Sequence, residues 1–501
     1  MASLLDLLEA RPDDDTTMAV YSGDREVTRS ALRAASRALA VTLTDAGVKP
    51  GSPVAVMLPN GPEVVAAMFG AWYAGCVYVP INPRVTPDEL TSLLAATRPA
   101  VLIAQTPRSD VGVPVVQAGE LSWSAPDGPV AEAPSHEPDI ALVQWTSGTT
   151  GQPKPVLLRH SGFLKLLEPV LKKLLGAGSD TIAARKSPMP NLIPTSMALS
   201  AGIYNVLFAF RVGAAAILME RFDPIVFSDL VDRFQLRSTV LPPAAMTMLV
   251  DTPEVTTLVP LKYVRSISAP LSPLQARRFR DKFGVTVLNC YGQTEIGGEI
   301  IGWNAADARE HGEAKLGSIG RPHDGVTVRI LGSDGDEVLP DTAGDLYVRT
   351  PATAAGYADG AELGDRLGAD GWFQTGDVAR LDPEGFLWIE GRISDMINRG
   401  GLKVFPGDVE EVLRLDPAVA DVAVVGAPDD RLGEVPWAFV VPADSTANLA
   451  TALDPAALTA AARERLAPYK VPTRFIAVAE LPRNEAGKVL HRELLALAPP
   501  E

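Results

Sequence analysis

At 501 residues, 47% of them hydrophobic and 21% charged, the chain has material for more than one globular core and lacks the composition of a disordered protein. A formal net charge of −16 argues against a general binder of nucleic acid or anionic membrane, because phosphate backbones are held by clustered Lys and Arg. The only cysteines, Cys76 and Cys290, are too few and too far apart for a disulfide framework or a metal site, which points to a reducing compartment.

Residues 1–15 have no basic segment and turn acidic at once, so no secretory signal is expected. Apolar residues recur at helical spacing over 28–43, and Gly47-Val-Lys-Pro-Gly51 ends that pattern. Residues 53–58 read as a strand, 59–75 as a capped helix and 77–81 as the next strand, the signature of an α/β layer. The alternation repeats over 90–104, with Val101–Ala104 as its strand, whereas 105–137 is Pro-rich, polar and expected to be an irregular surface connection.

A helix is expected over 161–176. Residues 188–197, punctuated by Pro188, Pro190 and Pro194, are expected to be irregular. The nearest approach to a membrane span, 198–219, contains Asn205 and Arg211 as well as Gly202 and Gly213, and reads as a buried helix followed by a strand. Buried strands follow at 213–219 and Ser238–Leu241, then irregular turns at 266–271 and, after a strand over 285–288, at 289–295. Residues 325–349 alternate as antiparallel strands with a turn at Gly332-Ser-Asp-Gly335. Near Gly391 the character changes. A proline-led helix over 404–413 and an apolar run over 419–426 predict a small α+β unit of roughly a hundred residues, with a hinge at about Ser394.

One stretch suits a polyphosphate better than it suits a fold. In Trp145-Thr-Ser-Gly-Thr-Thr-Gly-Gln-Pro-Lys-Pro155, the hydroxyls of Thr146, Ser147, Thr149 and Thr150 flank Gly148, with Gly151 and Lys154 following. Side-chain donors, unhindered backbone N–H groups and a cation can wrap anionic oxygens. It is not the Walker pattern, because Lys154 stands three residues after Gly151 and no Ser or Thr follows it. The alternative is an ordinary Gly/Thr turn.

Further stretches recur through the chain: Ser268-Ala-Pro-Leu271, Tyr291-Gly-Gln-Thr-Glu295, Gly344-Asp-Leu-Tyr-Val348 with Gly356-Tyr357, and Asp370-Gly-Trp-Phe-Gln-Thr-Gly-Asp377. Gly391-Arg392, Gly400-Gly401 with Pro406, and Leu481-Pro-Arg-Asn-Glu-Ala-Gly-Lys488 complete the set. Together with the 146–154 loop, and in this order, they resemble the adenylate-forming superfamily of acyl-CoA synthetases, peptide-synthetase adenylation domains and luciferases. The resemblance runs from the helix near Thr28 almost to the end of the chain. It implies an α/β fold: a large N-terminal domain (1–393) of layered α/β sheets plus a β-barrel-like subdomain, and a small mobile α+β C-terminal domain (394–501).

The chemistry so implied is attack of a carboxylate oxygen on the α-phosphorus of ATP, giving acyl-AMP and pyrophosphate, then transfer of the acyl group to a nucleophile. Two anions must meet, so positive charge and preorganised donors are the main requirement. The resemblance assigns Thr146, Ser147, Gly148, Thr149, Thr150, Gly151 and Lys154 to the β- and γ-phosphates, Thr294 to the α-phosphate and Glu295 to Mg²⁺. It assigns Asp377 to the ribose hydroxyls and Arg392 to the ribose or phosphate. Tyr291 and Gly292 lie against the adenine, with Ser268, Ala269 and Pro270 on its other side. Lys488 bridges the carboxylate and the α-phosphate. Asn191, Ser196, Ala201, Gly202, Gly297 and Gly298 line the acid pocket. Ser394 is the hinge of a domain rotation, and Gly400 and Gly401 border the pantetheine tunnel or form a simple turn.

The chain departs from the family pattern in several places. Pro155 stands where glycine usually follows the loop lysine, Ser394 where the hinge is usually Asp or Lys, and Ile267 and Ser268 where a glycine pair is usual. The histidine or aromatic residue that often opens the acid-pocket motif is absent, and Asn191 and Ser196 resemble aryl-acid activators somewhat better than fatty-acid ones. The expected activity is a cytoplasmic acid:CoA ligase acting on an aryl or acyl acid with ATP, Mg²⁺ and coenzyme A. The alternative is an adenylating enzyme with another acceptor: the thiol of a free-standing carrier protein, an amine giving an amide, or nitrite in diazotisation. No fused carrier domain is expected after the Lys488 loop. A non-catalytic nucleotide-binding relative is disfavoured by Lys488, Glu295, Asp377 and Arg392 occurring together, on the premise that a fold needs none of them.

Overall fold

The computed structural model describes the chain apart from residues 1–2, 11–13, 109, 147–153, 176–187, 361–362, 445–447, 450, 484–487 and 499–501. The N-terminal part is built on a seven-stranded sheet. Its order is Gly356–Tyr357, Lys154–Arg159, Ile140–Thr146, Val77–Pro80, Pro53–Met57, Val101–Ala104 and Val115–Gln117. Neighbours from Ile140–Thr146 onward run parallel, whereas Lys154–Arg159 and Gly356–Tyr357 extend the other edge antiparallel. Every residue of Pro53–Met57, Val77–Pro80 and Val101–Ala104 is buried, as parallel strands covered on both faces require.

Helix Pro62–Tyr73, with proline in its first turn, supplies part of that cover and buries every residue except Tyr73. Helix Arg29–Asp45 packs on it, capped by Thr28, whose side chain accepts the Ala31 N–H. Their close approach depends on Gly70, where a Cβ would stand 2.7 Å from a methyl of Leu39.

Two expectations are corrected here. The connection 105–137 contains the strand Val115–Gln117, whose two valines are buried beside Val101–Ala104. Residues 188–197 contain the strand Asn191–Ile193, which runs parallel to Ala216–Leu218. Pro190 and Pro194 flank that strand instead of interrupting it, so its N–H groups remain free to form the ladder.

A four-stranded sheet follows the order Arg25–Thr28, Met18–Ser22, Ala216–Leu218, Asn191–Ile193. Three parallel strands, Ser238–Leu241, Tyr263–Ser266 and Thr286–Leu288, make another layer. The 198–219 segment is helix Ser200–Arg211 followed by strand Ala216–Leu218, and among the described residues no helix is long and apolar enough to cross a membrane. Thr327–Leu331, Gly344–Arg349, Phe373–Leu381 and Leu387–Arg392 form an antiparallel four-stranded sheet in that order, in the region expected to be barrel-like. A bridge between Gly320 and Leu387 ties its last strand to the neighbouring pair Gly298–Gly302 and Arg321–Pro322.

The last part of the chain is α+β, so the whole is a mixed α/β protein with a large N-terminal and a small C-terminal part. Leu402–Val404, Ile397–Arg399, Gly433–Pro442 and Val419–Asp429 pair in that order, and Arg474–Ala477 lies parallel to Gly433–Pro442. Ile397, Val404, Val409, Leu413, Val422, Val440 and Leu458 form a core distinct from the main one. Each such aliphatic side chain contributes about 1.5–3 kcal/mol by leaving water.

Candidate active site

Residues 289–295, expected to be an irregular turn, instead form the strand Cys290–Gln293 and a 3₁₀ turn, Thr294–Ile296. The strand pairs antiparallel with Gly298–Gly302. Glycine at 292 is what allows this: a Cβ there would lie 1.8 Å from the Gly298 carbonyl oxygen. The hairpin directs Tyr291 and Gln293 toward the strand Phe373–Leu381, which carries Asp377.

Asp377 is 3% exposed and gathers three donors. The Tyr291 hydroxyl donates to Oδ2 at 2.6 Å, the Gln293 amide to the same oxygen at 2.7 Å, and Arg392 Nε to Oδ1 at 3.0 Å. The last contact follows from register, because Asp377 faces Arg392 across adjacent strands. The Thr375 hydroxyl accepts the Asp377 N–H at 3.1 Å and donates to the Leu346 carbonyl, which fixes the backbone beneath the carboxylate.

Burial pushes the Tyr291 phenol up, and Asp377 pushes it further, so it stays a neutral donor. Burial opposes the Arg392 charge, but Asp377, with Tyr291, Asp395 and Glu295 adding to it, more than offsets that and the guanidinium is held above its ordinary range. Lys488 lies within electrostatic reach of Arg392, Asp377, Glu295 and Asp395. Burial, followed by Arg392, lowers its pKa against the pull of the three carboxylates. The structure therefore brings together three separate stretches of the chain, carrying Tyr291 and Glu295, Asp377 and Arg392, and Lys488.

Glu295 is buried, and its carboxylate meets Arg366 Nη1 at 3.2 Å. Arg366 also donates to Gln293 Oε1 at 3.2 Å and to the Thr375 carbonyl at 3.0 Å, with its guanidinium carbon 4.5 Å from the centroid of the Phe373 ring. Neither Gln293 nor Arg366 was assigned a role from the sequence. Gln293 stood inside a quoted motif, but Arg366 carried no local signal. These contacts also correct the premise that the fold has no use for Glu295, Asp377 and Arg392, since all three make bonds within it. Among the described residues no group of three or more His, Cys, Asp or Glu could hold a metal ion. A lone buried carboxylate suits Mg²⁺, which is commonly held by one or two carboxylates together with substrate phosphates.

Thr146 and Lys154 face each other at the ends of the antiparallel strands Ile140–Thr146 and Lys154–Arg159. Ser147, Gly148, Thr149, Thr150 and Gly151 lie outside the described residues. Lys154 Nζ is 5.4 Å from the centroid of the Tyr357 ring, and the neighbouring Pro155 accepts the Ala358 N–H through its carbonyl at 2.7 Å. Ser268 has φ of 72°, the left-handed conformation that a glycine would adopt without penalty, and Ala269 and Pro270 follow it.

On the expected acid side, the Asn191 amide donates to the Asn205 carbonyl at 3.0 Å, which ties strand to helix. The Ser196 hydroxyl accepts the Ala198 N–H at 3.1 Å. Gly202, beside Ala201, lets the helix abut the preceding loop, since a Cβ there would stand 2.2 Å from the Ser196 carbonyl oxygen. Gly297 has φ of 82° and packs against Ala352, while Gly298 faces open space. Tyr204, Arg265, Ser266 and Glu299 converge behind these segments and were not singled out in the sequence. A charge between Gly298 and Ile300-Ile301 was the one available sign.

Ser394 is exposed in a 3₁₀ turn, Ile393–Asp395, directly after Arg392, and its hydroxyl donates to Asp395 at 2.9 Å. Gly400 and Gly401, with φ of 60° and 90°, form the two-residue turn joining Ile397–Arg399 to Leu402–Val404. Two consecutive positive φ values are what such a tight hairpin demands.

A family model described as AMP-binding enzyme matches residues 8–358, and one described as AMP-binding enzyme C-terminal domain matches residues 408–488. A feruloyl-CoA synthase of Amycolatopsis sp is 32% identical over 484 residues, covering 95% of this chain and 95% of that protein. The structure of o-succinylbenzoate CoA synthetase from Bacillus subtilis with its acyl-adenylate intermediate superposes with a TM-score of 0.83 at 25% identity, covering 99% of this chain and 98% of that one. ATP-bound MatB from Rhodopseudomonas palustris gives a TM-score of 0.86 at 25% identity, again covering 99% and 98%.

Proposed function

The chain belongs to the AMP-binding acid:CoA ligase family of adenylate-forming enzymes, and from that membership we propose that it makes an acyl-CoA from a carboxylic acid, ATP and coenzyme A. In the first step a carboxylate oxygen bonds to the α-phosphorus of ATP and the bond to the β-phosphate breaks, giving acyl-AMP and pyrophosphate. In the second, the coenzyme A sulfur bonds to the acyl carbon, AMP departs and the thiol proton passes to solvent.

The convergence of Lys488 with Asp377, Arg392 and Tyr291 is the observation that carries this reading. Asp377 accepts the ribose hydroxyls, oriented by Tyr291, Gln293 and Arg392. Lys488 meets the negative charge of both the carboxylate and the α-phosphate, and Thr294 binds the α-phosphate. Thr146, Lys154 and the 147–151 loop hold the β- and γ-phosphates. Glu295 would hold Mg²⁺, which supplies charge neutralisation on the phosphate oxygens when bound.

The chain divides functionally at 393/394, with Ser394 as the hinge that withdraws Lys488 after adenylation and brings Gly400 and Gly401 toward the thiol. The reaction takes place in the cytoplasm, where ATP and coenzyme A are available. The relative named as a feruloyl-CoA synthase and the neighbour named as an o-succinylbenzoate CoA synthetase support an aryl-containing acid. The test is AMP release with ATP, Mg²⁺ and a panel of aliphatic and aromatic acids, with and without coenzyme A, and products identified by mass spectrometry. Thioester formation is expected; acyl-AMP that never becomes a thioester would move the second step to another nucleophile.

A further inference from the structure

The strand Cys290–Gln293 separates two polar environments. Tyr291 and Gln293 face Asp377, whereas Cys290 belongs to a second cluster: its thiol donates to the Ser266 carbonyl at 2.9 Å and is pushed up by burial, with Glu299 adding to that. At the centre of the second cluster, one oxygen of Glu299 is bonded by Arg265 Nη1 and also lies 2.9 Å from His323 Nε2. Burial works against the charge on Glu299, but Arg265 and His323 outweigh it and hold the carboxyl at about 2. Arg265 also reaches the Trp303 carbonyl at 3.3 Å.

Two hydroxyls of this neighbourhood remain unused. Tyr204, from helix Ser200–Arg211, stands close enough to Glu299, Arg265 and Cys290 for their charges to act on its phenol, which burial keeps protonated. Its oxygen is buried and has no hydrogen-bond partner among the described residues. The same holds for the Ser266 hydroxyl, on a residue 1% exposed. A buried hydroxyl without a partner costs stability and returns none, so it needs an explanation outside the fold.

Position in the chain supplies that explanation. Tyr204 follows Gly202 by two residues, Glu299 follows Gly298, and Ser266 precedes Ser268 by two. The segments assigned to the acid pocket and to the adenine wall therefore meet at this cluster. A hydrocarbon pocket gains nothing from an unpartnered phenol and hydroxyl beside a charged carboxylate, whereas a substituent able to donate and accept hydrogen bonds supplies the kind of partner they lack.

We propose that Tyr204, with Ser266 near it and Glu299 behind, determines specificity for the acid and selects acyl groups bearing a hydroxyl or amino substituent over hydrocarbon acids of similar size. This rests on the ligase reading above and names the class of acid. Sites built to hydrogen-bond a substrate group reject the analogue that lacks it, because their own buried groups are then left unpaired.

The experiment compares pyrophosphate release by the full-length protein with benzoate, its ortho, meta and para hydroxy and amino derivatives, and octanoate, for wild type, Tyr204→Phe and Ser266→Ala. Wild type is expected to prefer the best substituted benzoate over benzoate in kcat/KM by about a hundredfold or more. Tyr204→Phe is expected to reduce that ratio about tenfold or more by losing activity on the substituted acid alone, and Ser266→Ala to reduce it less. The thermal midpoint of neither variant should fall, since neither hydroxyl bonds within the fold. Preference for benzoate or octanoate, or an unchanged ratio in both variants, overturns the inference and leaves the ligase reading intact. A lowered midpoint with an unchanged ratio assigns the two hydroxyls to the fold and also overturns it. No release with any acid overturns the ligase reading itself, and this inference with it.

Discussion

Asp377→Asn is the most informative change at the nucleotide side. The carboxylate receives Tyr291 at 2.6 Å, Gln293 at 2.7 Å and Arg392 at 3.0 Å, one oxygen serving two donors and the other serving Arg392. An asparagine keeps one acceptor, so its NH₂ must face either Arg392 or the Gln293 amide, and in both cases donor meets donor. Bonds to a charged group contribute about 1.5–3 kcal/mol and neutral ones about 0.5–1.5 kcal/mol. Because the Arg392 side chain is 34% exposed, its share is discounted for solvent screening, and the total loss comes to about 2–3 kcal/mol. The thermal midpoint should fall by about 2–4 °C. The rise in midpoint on adding saturating ATP should also shrink, because the same carboxylate is assigned to the ribose. Thermal unfolding of both proteins with and without ATP measures both effects. A variant with the wild-type midpoint and the wild-type response to ATP would refute the reasoning.

Four further outcomes follow from the same geometry. Arg366→Ala should free Glu295 from its 3.2 Å contact and lower the Mg²⁺ concentration needed for ATP binding by about two- to fivefold, a small change because Arg366 is about one-third exposed; an unchanged or higher Mg²⁺ requirement in calorimetric titrations would argue against competition. Gly292→Ala should abolish adenylation, since its Cβ would collide with the Gly298 carbonyl and turn Tyr291 and Gln293 away from Asp377; ATP binding equal to wild type would count against this. Gly401→Ala, at φ of 90°, should cost about 1–2 kcal/mol in chemical unfolding and slow the thioester half-reaction more than adenylation. His160 is buried and accepts the Leu4 N–H at Nδ1, and burial lowers its pKa from 6.5 to about 4. The unfolded chain therefore binds the proton more readily, so this contribution is complete above pH 6.5 and is lost as pH falls toward 4, by about 3 kcal/mol. His160→Gln should flatten the urea-midpoint profile over that window, and an equally steep profile would remove His160 as its cause.

Elements with strong local period were legible in the chain. The strand at 101–104, the helix after Thr28 and the strands of the first α/β layer follow from apolar runs and turn residues that act over a few positions. Pairings that close over long distances were not. Residues 289–295 look irregular until Gly298–Gly302 arrives beside them, because a run holding Asn289, Gly292, Gln293 and Glu295 has little strand propensity of its own and depends on its partner. Asn191–Ile193 was hidden by prolines that lie beside the strand. At the site, Asp377 and Arg392 are fifteen residues apart in sequence and meet only through strand register, and Tyr291 reaches the same carboxylate across 86 positions. Arg366 is the extreme case: a charged residue in a short turn whose two bonded side chains, Glu295 and Gln293, lie more than seventy residues away. Burial of Glu299 and Arg265 was likewise invisible, since sequence shows charge but not the neighbours that neutralise it.

Acid activation by Lys488 is the central claim, and Lys488→Ala tests it most directly. Carboxylate-dependent pyrophosphate release should fall by a hundredfold or more, on the order of other removed charge stabilisers, while the variant keeps its thermal midpoint and still converts supplied acyl-AMP to thioester. Near-normal pyrophosphate release by the folded variant would contradict the account.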